Sequence, residues 1–140
     1  MMKRTSEYRL HRRVRFYEVD GAGIVHFSWF FRYMEEAEYE LWRSAGARPG
    51  AGIGLPRVAA TFDYRRPLRF EDEFEALIRI TSIREKTIAY ACELSLAGET
   101  VALGTMTVAC VSTAPGQPMR AVPWPAEIIE RFEAVAPTSG

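Results

Sequence analysis

The stretch that decides the fold runs over residues 16–45, FYEVDGAGIVHFSWFFRYMEEAEYELWRSA. Its second half predicts one long helix over residues 29–45, because apolar side chains recur there at the helical period. Those side chains are Phe30, Met34, Ala37, Leu41 and Ala45. Ser28 is a candidate N-cap, and Gly46 is a natural stop. Further aromatic residues widen the apolar face, so we expect much of this helix to be buried.

The remainder of the chain predicts strands. Apolar and polar residues alternate weakly over residues 8–16, and the later pattern predicts antiparallel strands at 57–66, 72–83, 87–96 and 100–112. A glycine-rich loop, 46–56, follows the long helix, and a short helix is expected at 126–135. A single long apolar helix must pack on the sheet. The sequence therefore predicts an α+β fold, with a curved antiparallel sheet of about five strands around a central helix, in one domain spanning residues 1–140.

Composition narrows the class of protein. The 140 residues include 18 basic and 18 acidic side chains, a balance that argues against a nucleic-acid-binding surface. No segment approaches the roughly 18 apolar residues of a membrane span, and the first residues lack the apolar run of a signal peptide. Cys92 and Cys110 lie in strand-like runs and are expected to be small buried side chains. Two histidines without metal-type spacing predict no metal site, and we expect a cytoplasmic protein.

The loop before the helix carries the residues best suited to chemistry. Asp20 sits where the first strand leaves the sheet, and Gly21 and Gly23 permit unusual backbone conformations. The loop enters a helix N-terminus, where unpaired backbone N–H groups point outward. An acid beside such donors suits acyl chemistry, because the donors stabilise an oxyanion while the acid attacks the carbonyl or activates water. The same residues also fit a plain turn, since Asp-Gly is a common turn pair.

Two neighbouring polar residues have more than one interpretation. Glu18 fits a solvated or salt-bridged acid, or a second catalytic carboxylate. His26 fits a packing or hydrogen-bonding residue, or a base. The chain has no G-x-S-x-G nucleophile elbow, and its glycines at 50–54 complete no phosphate-binding motif.

The segment VRFYEVDGAGIVHFSWFFRYMEEAE, residues 14–38, resembles a known signature. It is similar to that of the hotdog-fold acyl-CoA thioesterases, in the 4-hydroxybenzoyl-CoA thioesterase and YbgC-like group. The order of predicted elements also resembles the hotdog fold from residue 8 to the C-terminal helix. The residues that carry the match are Phe16, Glu18, Asp20, Gly23, Ile24, Val25, His26, Phe27, Glu35 and Ala37.

The resemblance implies roles for particular residues. It makes Asp20 the catalytic carboxylate, acting as nucleophile or general base. It places the oxyanion site at the helix N-terminus and adds two residues of the active-site loop. The oxyanion residues are His26, Phe27 and Ser28, and the loop residues are Gly23 and Val25.

The resemblance also implies a substrate, an acyl-CoA or acyl-carrier-protein thioester, with no separate cofactor. Phe30 and Phe31 are candidate walls of an acyl pocket. Arg84, Lys86 and Thr87, in the motif IREKT, are candidates for binding the CoA phosphates, although a solvated charged turn explains them equally well. Such folds assemble as homodimers or homotetramers with the cleft at the interface.

Departures from the family pattern keep alternatives open. Val19 replaces the usual Thr or Cys, and His26 stands one residue before the histidine of YbgC-like members. The hydratase branch of hotdog proteins has an Asn-Pro between its Asp and His, which this chain lacks. The leading hypothesis is a thioester hydrolase. The alternatives are a non-catalytic hotdog module that binds an acyl-thioester or small apolar ligand, and a non-catalytic partner within a biosynthetic complex.

Overall fold

The computed structural model describes residues 4–135, and its main sheet has five antiparallel strands. The strands are β1 (Glu7–Arg13), β3 (Arg57–Tyr64), β4 (Glu73–Ile83), β5 (Thr87–Leu96) and β6 (Glu99–Ala109), in the spatial order β1-β4-β5-β6-β3. A second, smaller sheet joins β2 (Ile53–Gly54), β7 (Val111–Ser112) and β8 (Arg120–Ala121). The predicted α+β architecture, with five main strands and one long helix, is confirmed.

The long helix, α1, spans Ser28–Ser44 and packs on the inner face of the main sheet. Its buried face includes four of the five residues predicted from the periodicity, namely Phe30, Met34, Ala37 and Leu41. The predicted N-cap was wrong. Phe27 occupies that position with no side-chain cap, and Ser28 is the first helical residue. At the other end Gly46 has φ +68°, which suits the left-handed residue that follows a helix.

The core lies between α1 and the sheet. Alternate residues of the two central strands are fully buried there, including Ile78, Ile80, Ile88 and Leu94. Each such side chain contributes roughly 1.5–3 kcal/mol of hydrophobic free energy. Cys92 and Cys110 are buried free thiols as predicted, and burial raises the pKa of Cys92 to about 12.

Three predicted elements are shorter than expected because their backbone groups bond elsewhere. The strand predicted at 8–16 ends at Arg13, since Val14 bonds to residues 71–72 and residues 16–18 form a 3₁₀ turn. The strand predicted at 100–112 breaks at Cys110, whose N–H donates to the Lys86 carbonyl while its own carbonyl accepts from Val122. Residues 111–112 then pair with 53–54 inside the predicted loop. The helix predicted at 126–135 is only α2 (Ala126–Ile129), because backbone groups of residues 131–135 bond to Thr5 and Ile80.

Strand β3 forms one edge of the main sheet. Seven of its eight residues are exposed, and within the part of the chain that is described only β6 pairs with it. An unpaired edge is a template for association. Two aromatic residues of β3, Phe62 and Tyr64, face α1 and connect this edge with the site described next.

Candidate active site

The loop between β1 and α1 is anchored at both ends. On the β1 side, the backbone of Val14 exchanges hydrogen bonds with residues 71–72. On the α1 side, the buried Val25 donates its N–H to the Leu68 carbonyl at 2.8 Å. Val19 and Val25 also form an isolated bridge that closes the loop on itself. The predicted loop residue Val25 is therefore an anchor.

Asp20 begins a tight turn that exposes its carboxylate. Its N–H donates to the Ile24 carbonyl at 2.9 Å, and its own carbonyl accepts from Gly23 at 3.0 Å. Gly23 has φ +82°, a conformation that most side chains disfavour, so the predicted glycine is required for the turn. The Oδ1 atom of Asp20 accepts from the Ala22 N–H at 2.8 Å. Oδ2 has no bonded partner within residues 4–135 and is free for chemistry.

The start of α1 leaves one amide of the predicted set without an acceptor. The His26 N–H donates to the Glu18 carbonyl at 2.9 Å, and the Ser28 N–H approaches His26 Nδ1 at 3.3 Å. The Phe27 N–H has no acceptor in the described chain. Two of the three predicted oxyanion residues thus have occupied amides, which leaves Phe27 as the donor at the positive end of the helix dipole.

His26 itself is exposed and interacts locally. Its Nδ1 lies 2.8 Å from the Ser28 hydroxyl, and its ring packs on that of Phe27 at 4.6 Å between centroids. These contacts agree with the hydrogen-bonding interpretation of His26.

Glu18 is the most buried acid of the loop, with 0% of its surface exposed. Its carboxylate accepts hydrogen bonds from both terminal nitrogens of Arg12, from the Tyr33 hydroxyl at 2.9 Å and from the Arg15 amide at 2.8 Å. Arg12 also bonds to Glu36 on α1, at 2.9 Å from its Nε. The salt-bridged interpretation of Glu18 is confirmed, since the network joins β1, the loop and the helix.

The charges of this network perturb its other members. Burial lowers the pKa of Arg12, but the hydrogen bonds and charges of Glu36 and Glu18 outweigh it and raise that pKa above its usual range. Burial and the bond to Glu18 raise the pKa of Tyr33 well above its ordinary value. Arg12 therefore stays charged and Tyr33 stays a hydroxyl donor near neutral pH.

Aromatic rings form a wall beside the Phe27 carbonyl, which accepts from the Tyr64 hydroxyl at 3.1 Å. The predicted pocket residues Phe30 and Phe31 lie on α1, the first buried and the second half-buried. Phe62 on β3 meets Phe31 edge-on at 5.1 Å, and Tyr64 meets Phe30 edge-on at 4.9 Å. Edge-to-face contacts of this kind are favourable for aromatic pairs.

The predicted phosphate-binding residues lie elsewhere in the protomer. Arg84, Lys86 and Thr87 stand at the turn between β4 and β5, where Arg84 N–H donates to the Thr87 carbonyl. The Asp20 loop lies beside the opposite end of β4, whose 11 residues span roughly 33 Å. One protomer therefore does not bring these residues to Asp20.

Sequence reasoning missed the residues that support the site from other elements. Arg12 and Tyr33 hold Glu18, and Tyr64 holds the Phe27 carbonyl at 3.1 Å. Phe62 and Tyr64 are two apart on a predicted strand and so share a face, which was a usable signal for an aromatic surface. No local pattern signalled the contacts of Arg12.

Among residues 4–135, no helix is both long and apolar enough to cross a membrane. Within the same residues, no group of three or more His, Cys, Asp or Glu side chains is placed to hold a metal ion.

The sheet, the central helix and the loop at its N-terminus define a hotdog fold. The family model described as the thioesterase-like superfamily matches residues 14–132. The chain belongs to this superfamily.

Relatives and solved structures agree with that assignment. The chain is 37% identical over 82 residues to a 1,4-dihydroxy-2-naphthoyl-CoA hydrolase of Synechococcus sp. (strain CC9311), a match covering 50% of this chain and 54% of the relative. The chain spans about half to two thirds of the length of the curated relatives it matches.

Among solved structures, a hypothetical protein of Aquifex aeolicus superposes with a TM-score of 0.82 at 30% identity, covering 90% of this chain and 99% of that one. A gentisyl-coenzyme A thioesterase superposes with a TM-score of 0.80 at 25% identity, covering 90% and 100%. A variant of 4-hydroxybenzoyl-CoA thioesterase in complex with 4-hydroxybenzoyl-CoA has a TM-score of 0.80 at 20% identity, covering 91% and 99%, and shows the fold alone.

Proposed function

We propose that this chain hydrolyses an acyl-CoA thioester to a carboxylic acid and CoA. The observation that carries the proposal is the pairing of two groups in one anchored loop. Asp20 presents a carboxylate oxygen without a partner among residues 4–135, and Phe27 presents a backbone N–H without an acceptor in the described chain. Membership of the thioesterase-like superfamily supports the reaction type.

In the proposed reaction the Phe27 N–H binds the thioester carbonyl oxygen. Negative charge develops on that oxygen as the carbonyl is attacked, and one donor of this kind lowers the barrier by about 3–4 kcal/mol. Asp20 either attacks the carbonyl carbon directly, or removes a proton from the attacking water. The C–S bond then breaks and CoA leaves as a thiolate that takes up a proton. A direct attack gives an anhydride, which water hydrolyses in a second step.

We further propose an aromatic acyl group. The wall formed by Phe30, Phe31, Phe62 and Tyr64 reaches the Phe27 carbonyl through the Tyr64 hydroxyl. Three of its rings, Phe31, Phe62 and Tyr64, are partly or largely exposed and can contact an aromatic group. One relative and one structural neighbour are named for aromatic acyl-CoA substrates, the naphthoyl and gentisyl compounds. We propose no cofactor besides the CoA of the substrate, and the cytoplasm as the compartment.

The experiment is thiol release from a panel of acyl-CoAs, from short and long chains to benzoyl, phenylacetyl and naphthoyl. Asp20→Asn should lower turnover at least about a hundredfold while substrate binding is retained. The control is Glu127→Gln, the same change from carboxylate to amide at an exposed acid of α2, which should leave turnover unchanged. Equal activity in wild type and Asp20→Asn contradicts the role of Asp20. Binding without hydrolysis of any substrate favours the non-catalytic ligand-binding module.

We propose a homodimer or homotetramer in which a second protomer supplies the phosphate-binding turn. The exposed edge strand β3 supports association, and the distance of Arg84 and Lys86 from Asp20 within a protomer supports a shared site. The test mixes two inactive variants, Asp20→Asn and the double variant Arg84→Glu/Lys86→Glu, after co-refolding. In a two-fold dimer, random mixing makes about half of the dimers heterodimers. If the turn serves the partner, each heterodimer has one intact site of two, and about a quarter of wild-type activity returns. If the turn serves its own protomer, no intact site forms and no activity returns.

A further inference from the structure

Tyr64 contacts the predicted oxyanion residue from a distant part of the chain. It lies on the edge strand β3, and its hydroxyl donates to the Phe27 carbonyl at 3.1 Å across 37 positions of sequence. Burial raises the pKa of Tyr64 above its ordinary value, so the hydroxyl keeps its proton near neutral pH. Tyr64 is therefore available as a donor throughout the range in which a thioesterase would be assayed.

The ring of Tyr64 is held in place by the core. It meets the buried Phe30 edge-on, with 4.9 Å between ring centroids and 89° between planes. It also lies nearly parallel to Phe62 at 5.9 Å. Phe62 rests against β6 at Gly104, where a Cβ atom would come within 2.7 Å of the ring. These contacts hold the ring in place although 43% of Tyr64 is exposed.

The Phe27 N–H and the Phe27 carbonyl lie in consecutive peptide planes that meet at the Phe27 Cα. The plane of the N–H also contains the His26 carbonyl, which accepts from the Trp29 N–H at 2.9 Å. The Phe27 carbonyl is bound by Tyr64, and the helical N–H of Phe30 reaches it only at 3.3 Å. The first turn of α1 thus holds the plane of the unpartnered Phe27 N–H, and the edge strand holds the plane that follows it at the same Cα.

We propose that Tyr64 is a positioning residue that aims the Phe27 amide at the thioester carbonyl. The proposal rests on the proposed hydrolase function. Preorganised donors stabilise developing charge because they need no reorientation during the reaction. Losing the hydroxyl should leave Phe27 free to sample other orientations, and this should weaken transition-state stabilisation more than substrate binding.

The experiment compares Tyr64→Phe with Tyr39→Phe, which removes a hydroxyl from an exposed tyrosine of α1. Tyr64→Phe keeps the ring contacts and should lower kcat about three- to tenfold, the effect of one neutral hydrogen bond, with KM within about twofold of wild type. Tyr39→Phe should change neither. A ¹H–¹⁵N spectrum should show the Phe27 amide resonance shifted in Tyr64→Phe and unmoved in Tyr39→Phe.

The outcomes separate the two proposals. Wild-type hydrolysis with an unchanged kcat in Tyr64→Phe overturns the role of Tyr64 and leaves the hydrolase proposal standing. A second outcome also overturns the role of Tyr64. In it, active-site titration assigns the loss of activity to a smaller folded fraction and the Phe27 resonance does not move, so Tyr64 is merely structural. Absence of hydrolysis in wild type on every thioester overturns the hydrolase function, and the positioning role with it. A lower kcat at constant KM, with a shifted Phe27 resonance, supports both.

Discussion

Replacing Arg12 by Met should destabilise the protein far more than removing an ordinary arginine. Glu18 has no exposed surface and depends on Arg12 for two of its hydrogen bonds. In Arg12→Met the carboxylate keeps only the Tyr33 hydroxyl and the Arg15 amide. Removing one partner of a buried ion pair leaves an uncompensated buried charge, which costs about 3–5 kcal/mol.

That loss is a large share of the stability of a domain, which is typically about 5–15 kcal/mol. For a chain of this size it corresponds to a fall in Tm of about 9–20 °C.

The assay is urea unfolding of Arg12→Met, Glu18→Gln and the double variant. The double variant should be more stable than Arg12→Met alone, because Glu18→Gln replaces the unpaired carboxylate with a neutral amide. The control is Arg9→Met on the same strand, which breaks an exposed ion pair with Glu75 and should cost no more than about 1 kcal/mol. The reasoning is refuted if Arg12→Met costs no more than Arg9→Met, or if the double variant shows no recovery.

Two further predictions concern α1 and β6. Burial raises the pKa of Glu38 above its ordinary 4.5, and this effect is larger than the lowering caused by the charge of Arg57. Above pH 4.5 the folded state therefore keeps a proton on Glu38 that the unfolded chain releases. The contribution of Glu38 to stability accordingly falls as pH rises from about 4.5. Urea unfolding between pH 4.5 and 8 should show that the free energy of unfolding depends less on pH in Glu38→Gln than in wild type. Equal pH slopes for the two proteins would contradict this prediction. Gly104→Ala should cost about 1–3 kcal/mol and displace Phe62, because the new Cβ would clash with that ring. Gly50→Ala, which meets no atom within 4 Å, is the matched control, and equal melting temperatures for the two variants would refute the clash.

The elements of this fold could be predicted because their signals are local. The helix of Ser28–Ser44 and the five main strands repeat their apolar residues at periods near 3.6 and 2, and each period is visible within one segment. Asp20 and Gly23 were identifiable for the same reason, since the turn and the start of the helix lie within a few residues of each other.

The support of the site could not be predicted, because it depends on contacts between distant segments. The register of β1 and the packing of α1 bring Arg12 to Glu18 and Glu36, and the curvature of the sheet brings Tyr64 to Phe27. The pairing of 53–54 with 111–112 and the early end of α2 likewise arise where long-range backbone bonds replace local ones.

Local patterns in the sequence locate the long helix, the five main strands and the loop that carries Asp20, but they do not reveal the second, smaller sheet or the early end of α2. The tertiary structure decided which amide at the start of α1 is left without an acceptor, and which buried partners hold the loop around it. The physical reason is that periodicity is a property of neighbouring residues, whereas hydrogen-bond satisfaction depends on every group that packing brings within reach.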